Sequence, residues 1–377
     1  MRTLDEARAT CETYLPGLCD DLSSVSLAEL EAPGGPGLQM FRTANGPGLL
    51  IPKHYAGLAA TPLDAVRVTR AIGSYAPSLA VATTMHHFSV ATLFTMADSL
   101  KSSGMEWALL EGIARENLLV SSGFAEGRPG QGILTPTMSA TPTTGGFTVN
   151  GSKKPCSLSK SMDLMSASVA ISNADVQDQL AILLIASDTP GISVRPFWDS
   201  NILAGAESDE VKFDNVFVDE RLVVAPEAGD EGQLDQLQTV GFIWFEMLIS
   251  SAYLGMATGL VQRVFVANKA SARERAALVV RLETAALLLE GVARILDEDV
   301  ENSALATSLI ARYGAQDAIN DAVSVSVELL GGIAFIRSPD VGYLASACQC
   351  LGFHPPSRSA SAETLNAYFD GDLLKLA

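Results

Sequence analysis

The stretch SSGFAEGRPGQGILTPTMSATPTTGGFTVNGSKKPCSLSKSMDL, residues 121–164, joins a glycine-rich loop to a β-hairpin pattern, and it decides the fold. The pattern begins at Thr143-Thr144-Gly145-Gly146 and alternates apolar and polar residues up to Asn150-Gly151, a pair suited to a second turn with positive φ. Upstream, residues 123–132 form a loop rich in Gly and Pro. Backbone N–H groups in such a loop can face a planar polar ligand or a phosphate.

Composition places the chain among folded globular proteins. It has 377 residues, of which 48% are hydrophobic and 18% charged, and this length allows a large buried core. The 25 Lys and Arg residues are outnumbered by 43 Asp and Glu residues, which gives a net charge of -18. Nucleic acid and anionic membranes bind basic surfaces, so neither is expected as the main partner.

Targeting and metal signals are weak. Residues 1–10 carry charge and have no apolar core of signal-peptide length, and no apolar run elsewhere approaches a membrane span. We therefore expect a cytoplasmic protein without a membrane segment. The cysteines, Cys11, Cys19, Cys156, Cys348 and Cys350, show no Cys-x-x-Cys spacing, so neither a disulfide framework nor a zinc site is predicted.

The hydrophobic period divides the chain into three parts. Helical spacing is seen in residues 62–74, 79–96 and 105–119, and again in residues 240–270, 271–297 and 303–330. Period-two candidate strands cover residues 147–157, 165–172, 180–187, 192–197 and 210–218. We predict a helical amino-terminal domain at 1–120, a central β-domain at 121–226 and a helical carboxyl-terminal domain at 227–377.

These pieces, taken in order, resemble the acyl-CoA dehydrogenase superfamily. Its middle domain presents Thr-Glu-Pro-x-Ala-Gly-Ser and Gly-Thr-Lys-x-Trp-Ile-Thr to a flavin, and residues 125–131 and 151–157 match these motifs imperfectly. Residues 51–58, 208–218 and 328–335 resemble three further family stretches. The resemblance implies an α+β fold: an amino-terminal helical domain, a central β-barrel-like domain and a carboxyl-terminal four-helix bundle. A flavin, FAD or FMN, is expected between the β-domain and the bundle.

Flavin-binding positions follow from the resemblance. They are Phe124, Ala125, Glu126, Gly130, Pro155, Cys156, Ser157, Glu328, Gly331 and Gly332. The family's Arg-x-x-Phe-Gly motif, which holds the pyrophosphate of FAD from the neighbouring subunit, is missing, and Glu328 replaces the family Gln. FMN, or FAD borrowed from a reductase, is therefore credible.

Two positions compete for the role of base. With one deletion near Pro339, His354 lies where family dehydrogenases carry their catalytic Glu. The alternative family base, one helix earlier, falls near Glu246, although the alignment places Phe245 at that position. His354 is either a loop-terminating residue before Pro-Pro or a proton donor or acceptor, since an imidazole with a pKa near neutrality suits that work.

His86 is a further catalytic candidate, because the family often has a histidine at this position near the substrate channel. His86 and His87 are adjacent in a predicted helix, so at most one of them can face a given pocket. His86 and His354 would form a two-imidazole site, but the sequence offers no third ligand, and no metal is predicted.

Three functions remain open. Residues 151–157 and the His354-Pro355-Pro356 turn look like the branch of the superfamily that uses reduced flavin and oxygen, which favours monooxygenation of a small biosynthetic metabolite. The second is dehydrogenation of an acyl thioester on coenzyme A or a carrier protein. The third is a flavin-free binding protein on the same fold. Expected partners are a flavin reductase or an electron-transfer protein, and further copies of the chain in a dimer or tetramer.

Overall fold

The computed structural model describes residues 1–97, 104–127, 136–173, 176–224, 231–296 and 302–374. The helices that precede the sheet are α1 Arg2–Tyr14, α2 Leu18–Ser23, α3 Leu27–Leu30, α4 Gly37–Thr43, α5 Pro62–Gly73, α6 Pro77–Ala97 and α7 Met105–Glu116. The helices that follow it are α8 Glu231–Val266, α9 Ala272–Ile295, α10 Asn302–Arg337, α11 Pro339–Gln349 and α12 Ala362–Phe369.

The strands lie between these two sets of helices. They are β1 Val120–Gly123, β2 Ser139–Thr143, β3 Gly146–Cys156, β4 Leu164–Asn173, β5 Val176–Ala186, β6 Ile192–Arg195, β7 Asp209–Asp219 and β8 Val223–Val224. They form one mixed sheet in the order β6-β7-β3-β2-β4-β5-β8, and β1 pairs with β4 in parallel. All five predicted strands are confirmed, as β3 to β7. The short strands β1, β2 and β8 were missed.

Local sequence fixes where two helices begin. Thr61 and Asp64 form a capping box at the start of α5, where Pro62 occupies the first helical position. Ser271 and Glu274 form the same box at the start of α9. Each box satisfies backbone N–H groups that the first turn of a helix leaves without partners.

One of the two predicted turns is wrong. The hairpin at Thr143–Gly146 is confirmed, because these two residues pair where β2 meets β3. Asn150-Gly151, in contrast, lies inside β3, which continues along β7 with a register shift between Val149 and Gly151. Gly151 adopts a φ of 139° there. Two residues of β7, Asp214 and Asn215, lie opposite Asn150, so the bulge is in β7 and β3 continues without reversing.

Helix α8 runs through the core and packs on α5, α6, α9, α10 and α11. It approaches α5 very closely, since a Cβ on Gly255 would lie 2.3 Å from the carbonyl oxygen of Arg70. The expectation that no apolar run reaches the length of a membrane span was wrong. Thr239–Val266 and Ser303–Arg337 both qualify by length and composition. The apolar window of the first is 94% buried, as in the core helix of a globular protein, whereas that of the second is 28% buried.

The predicted domain limits at residues 120 and 226 stay predictions. Residue 226 lies outside the described ranges, and packing between helices and sheet is extensive near residue 120, where α6 contacts β1.

Candidate functional site

The ends of β1 and β3 meet at one edge of the sheet. The backbone N–H of Lys154 donates to the carbonyl of Ala125 at 2.9 Å, and Ser121 Oγ donates to the carbonyl of Ser157 at 2.6 Å. This pairing brings together the predicted flavin-binding residues Phe124, Ala125, Glu126, Pro155, Cys156 and Ser157. Gly130 lies outside the described residues.

A buried ion pair between Lys153 and Glu126 stabilises this edge of the sheet. Lys153 is fully buried, and its Nζ donates to Glu126 Oε1 at 2.8 Å and to Ser168 Oγ at 3.0 Å. Glu126 also accepts backbone hydrogen bonds from Thr137 and Met138. Burial opposes its ionisation, but the hydrogen bonds from Lys153 and Thr137 prevail and lower the pKa of Glu126 to about 2. Both carboxylate oxygens of Glu126 therefore accept hydrogen bonds from the protein, and a contact between Glu126 and the flavin stays a prediction.

The side chains around the end of β3 differ in polarity and exposure. Burial raises the pKa of the Cys156 thiol to about 12, so it stays protonated and unreactive. Ser157 Oγ shares a hydrogen bond with Ser208 Oγ at 3.0 Å. Pro155 is exposed and Phe124 is half-buried. Flat apolar groups beside a hydroxyl fit a planar heterocycle with a polar edge, so the residues present suit a flavin.

Aromatic rings link the sheet edge to the carboxyl-terminal loop. Ring centroids are 6.2 Å apart for Phe124 and Phe88, 5.5 Å for Phe88 and Phe245, and 5.9 Å for Phe245 and His354. Phe245, and not Glu246, makes the ring contact with His354, because adjacent residues on α8 point in different directions.

His354 follows the short 3₁₀ helix Cys350–Phe353 and is half-buried. Its Nε2 lies 2.9 Å from the hydroxyl of Tyr253. Burial, helped by the positive charge of Arg312, lowers the pKa of His354 to about 3. The expected pKa near neutrality is therefore wrong, and the imidazole is neutral at physiological pH.

Glu246 is the counter-ion of Arg312. Both residues are buried, and Arg312 Nη1 lies 2.8 and 2.7 Å from the two oxygens of Glu246. Arg312 also donates to the carbonyl oxygens of Leu351, His354 and Pro355. Burial raises the pKa of Glu246 to about 7 although Arg312 opposes this shift. These contacts disfavour Glu246 as a free base and make it a support of the His354 loop.

His86 is occupied by backbone partners. Its Nε2 lies 2.9 Å from the carbonyl oxygen of Pro47, and its Nδ1 accepts from the N–H of Val120 at 3.0 Å. Burial lowers the pKa of His86 to about 4. With both nitrogens engaged, the ring ties β1 to the 46–48 turn, and no described contact joins it to His354. The geometry therefore disfavours a catalytic role for His86.

The other predicted flavin-binding residues lie elsewhere, on α10. Gly331, at φ 76° and ψ 167°, interrupts this helix, and the carbonyl of Leu330 accepts a hydrogen bond from Lys269 Nζ at 2.9 Å. Glu328 and Gly332 are exposed. Within the described ranges no hydrogen bond or ion pair connects this kink with Ser157. The sequence reasoning missed Lys269, since nothing near it in sequence points to Gly331.

A cleft beside Phe88 and Phe124 lies between α6, α7 and strands β4, β5 and β8. The space inside it that the centre of a water molecule can occupy is about 60 Å³. The lining residues include Ser89, Thr92, Leu93, Leu109, Leu183, Leu184, Leu222 and Val224, together with the charged residues Glu106 and Arg221. Ser89 and Thr92 donate to carbonyls of their own helix at 2.9 and 2.8 Å, so the walls they form are effectively apolar.

The Glu126–Lys153 pair predicts a pH-dependent stability. The pKa of Glu126 drops from 4.5 to about 2 on folding, so its ionisation stabilises the fold by at most ~3 kcal/mol above pH 4.5. This contribution is lost as the pH falls through about 2. The variant Glu126→Gln should therefore be less stable than the wild type near pH 7, and the difference should shrink from pH 4.5 downwards.

Urea unfolding over this pH range measures the difference. Glu111→Gln is the control, because Glu111 pairs with Arg115 on an exposed helix face, and it should have a small effect at every pH. A difference for Glu126→Gln that is as large at low pH as at pH 7 would contradict the assignment.

The Glu246–Arg312 pair predicts strong coupling between the two residues. Arg312→Gln should cost about 3–5 kcal/mol of unfolding free energy, because it leaves Glu246 buried without its counter-ion and three backbone carbonyls without their donor. The double variant with Glu246→Gln should cost clearly less than the sum of the single changes. Arg358→Gln, which breaks an exposed pair with Asp317 in the same region, is the control and should cost under about 1 kcal/mol. Additive effects of the two buried substitutions would exclude the coupling.

No protein-family model matches the chain. The chain is 48% identical over 378 residues to an isobutylamine N-hydroxylase from Streptomyces viridifaciens, and the match covers 100% of both proteins. A dibenzothiophene monooxygenase from Rhodococcus qingshengii is 29% identical over 231 residues, covering 60% of this chain and 54% of the relative. The solved structure of KijD3 in complex with FMN and dTDP-3-amino-2,3,6-trideoxy-4-keto-3-methyl-D-glucose has a TM-score of 0.85 at 18% identity, covering 97% of this chain and 94% of that one.

These findings confirm the suspected superfamily, the flavin cofactor and an enzymatic role, and the flavin-free alternative was wrong. The chain belongs to the flavin-dependent monooxygenases that share the acyl-CoA dehydrogenase fold.

Proposed function

We propose that this monooxygenase hydroxylates the nitrogen of a small alkyl amine. The full-length similarity to an isobutylamine N-hydroxylase, at 48% identity, carries the proposal. Reduced flavin, when bound, supplies the two electrons with which dioxygen is split. One oxygen atom enters an N–H bond of the amine, and the other leaves as water after taking up two protons.

The apolar cleft supports an amine that reacts in its uncharged form. A nitrogen must keep its lone pair to accept oxygen, and an ammonium ion has none. Most of the wall, including Leu93, Leu109 and Leu183, is apolar and disfavours the charged form, although Glu106 and Arg221 also line the cleft. Phe88 belongs both to this cleft and to the row of rings that ends at His354, so the cleft adjoins that row.

Dehydrogenation of an acyl thioester is supported less well. A pantetheine arm carries amides that need hydrogen-bond partners, and the cleft wall is mainly apolar, with the hydroxyls of Ser89 and Thr92 bonded to their own helix. The reaction also needs a base for the α-proton. Both oxygens of Glu246 face Arg312, and the rings beside His354 are those of Phe245 and Tyr253.

In this proposal the flavin ring is held at the sheet edge by Phe124, Ala125, Pro155, Cys156 and Ser157. The cation for its phosphate is Lys269 beside Gly331 and Gly332, supplied by a second copy of the chain. Large apolar side chains exposed on α9 and α10 support a dimer or tetramer. They are Val280, Leu287, Ile310, Ile333, Phe335 and Ile336. A separate flavin reductase and a cytoplasmic location complete the proposal.

The function is tested with purified enzyme, FMN, a reducing system and a series of alkyl amines from ethylamine to hexylamine. The proposal predicts formation of the N-alkylhydroxylamine with small branched or linear amines, detected by mass spectrometry. Oxidation of acyl thioesters to α,β-unsaturated products, with no amine converted, would replace this function by the dehydrogenase alternative.

A variant in the cleft tests whether the alkyl chain of the amine binds there. Leu109→Phe should raise the KM of the longer amines about tenfold relative to ethylamine, since one or two methylenes in an apolar pocket are worth ~1–3 kcal/mol. Leu373→Phe makes the same exchange at an exposed position beyond α12 and should leave the chain-length profile unchanged. Equal profiles for both variants would place the alkyl chain outside the cleft.

A further inference from the structure

Tyr253 is a buried phenol with one hydrogen-bond partner among the described residues. Its side chain is fully buried on α8, and its hydroxyl lies 2.9 Å from Nε2 of His354. The two rings meet edge to face with centroids 5.5 Å apart. Nδ1, the other nitrogen of His354, has no hydrogen-bond partner in the part of the chain that the structure describes.

The direction of the hydrogen bond between Tyr253 and His354 determines which nitrogen of the imidazole is protonated. If Nε2–H donated to Tyr253, the phenolic proton would be left buried without an acceptor, which is an unfavourable state. If Tyr253 donates, both groups are satisfied, Nε2 is the acceptor and Nδ1 carries the proton. Burial keeps the pKa of Tyr253 well above 10 and that of His354 near 3, so both groups are neutral at the pH values where enzymes work.

The backbone of His354 is fixed independently of its ring. Arg312 Nη2 donates to the carbonyl oxygen of His354 at 2.6 Å and to that of Leu351 at 3.2 Å. Arg312 thus holds the main chain of the loop, while Tyr253 holds the imidazole. Rotation of the ring would break the bond to Tyr253, so Nδ1 keeps one direction.

We propose that Tyr253 is a positioning residue that fixes His354 in the tautomer protonated on Nδ1, so that Nδ1–H donates a hydrogen bond to the reacting molecule. Only the identity of that acceptor, an alkyl amine or its oxygenated product, rests on the proposed function. His354 then acts as a neutral donor and does not cycle through an imidazolium ion. A hydrogen bond from a partner commonly fixes the tautomer of a functional histidine in this way.

The tautomer can be read directly in flavin-free protein. The chain has 4 histidines, so long-range ¹H–¹⁵N spectra of histidine-labelled enzyme are simple, and the variant His354→Gln identifies the signals of His354. We expect a protonated Nδ1 and an unprotonated Nε2 in the wild type. Tyr253→Phe should move the proton toward Nε2, which carries it preferentially in free imidazole side chains. A wild-type His354 protonated on Nε2 would overturn the proposal, even if the variant failed to fold.

Tyr313→Phe is the matched control. The hydroxyl of Tyr313 contacts the carbonyl of Pro356 at 3.2 Å and Ser361 Oγ at 2.8 Å, so it holds the same loop without touching the His354 ring. This variant should keep the wild-type tautomer. In turnover of an accepted amine, Tyr253→Phe should lower kcat about tenfold or more with little change in KM, because a hydrogen-bond donor to the reacting molecule is misplaced.

The outcomes separate the two proposals. A changed tautomer in Tyr253→Phe with unchanged kcat would overturn the positioning role. The expected tautomers without turnover of any amine would leave the Tyr253 assignment standing and contradict the amine substrate.

Discussion

A single buried guanidinium, that of Arg312, holds the carboxyl-terminal loop against the rest of the molecule. It reaches from α10 to Glu246 on α8, which lies 66 residues earlier in the chain, and to backbone carbonyls within and just after the Cys350–Phe353 turn. The loop after α11 has little regular structure to fix its own backbone, so its carbonyls depend on this donor. A buried guanidinium in turn needs a carboxylate, and Glu246 therefore serves the fold.

The sheet edge depends on a second buried pair of the same kind. Lys153 and Glu126 join β3 to the segment after β1, and the aromatic row from Phe124 to His354 spans the distance between the two pairs. Both pairs are internally compensated, so little uncompensated charge faces the rings between them. His354 is neutral and the wall of the cleft beside Phe88 is mainly apolar, so these neighbours add little charge. Such surroundings suit the chemistry of a neutral nitrogen better than that of a charged intermediate.

Sequence patterns predicted the long strands because period-two alternation over eight or more residues is a strong signal. They failed where a tertiary contact overrides local preference. Asn150-Gly151 has the composition of a turn, but pairing with β7 holds the segment extended opposite a bulge in β7. Short strands such as β8 carry no period that can be read at all.

The candidate site was predictable only in part. The segments at the ends of β1 and β3, which the structure brings together, were singled out through family motifs, and the same resemblance led to His354. Tyr253 and Arg312 gave no signal, because an apolar helix with one Tyr or one Arg looks like core or surface until the partners 101 and 42 residues away are known. The pKa of His354 was also misjudged, since burial and the nearness of Arg312 are properties of the folded chain.

The central claim, that this chain inserts oxygen from dioxygen into a small amine, is tested most directly by isotope labelling. Enzyme, FMN and reductant are supplied with an alkyl amine under ¹⁸O₂, and the product is analysed by mass spectrometry. The account predicts a hydroxylamine that carries one ¹⁸O atom. A product without label, or conversion that proceeds equally well without dioxygen, would contradict it.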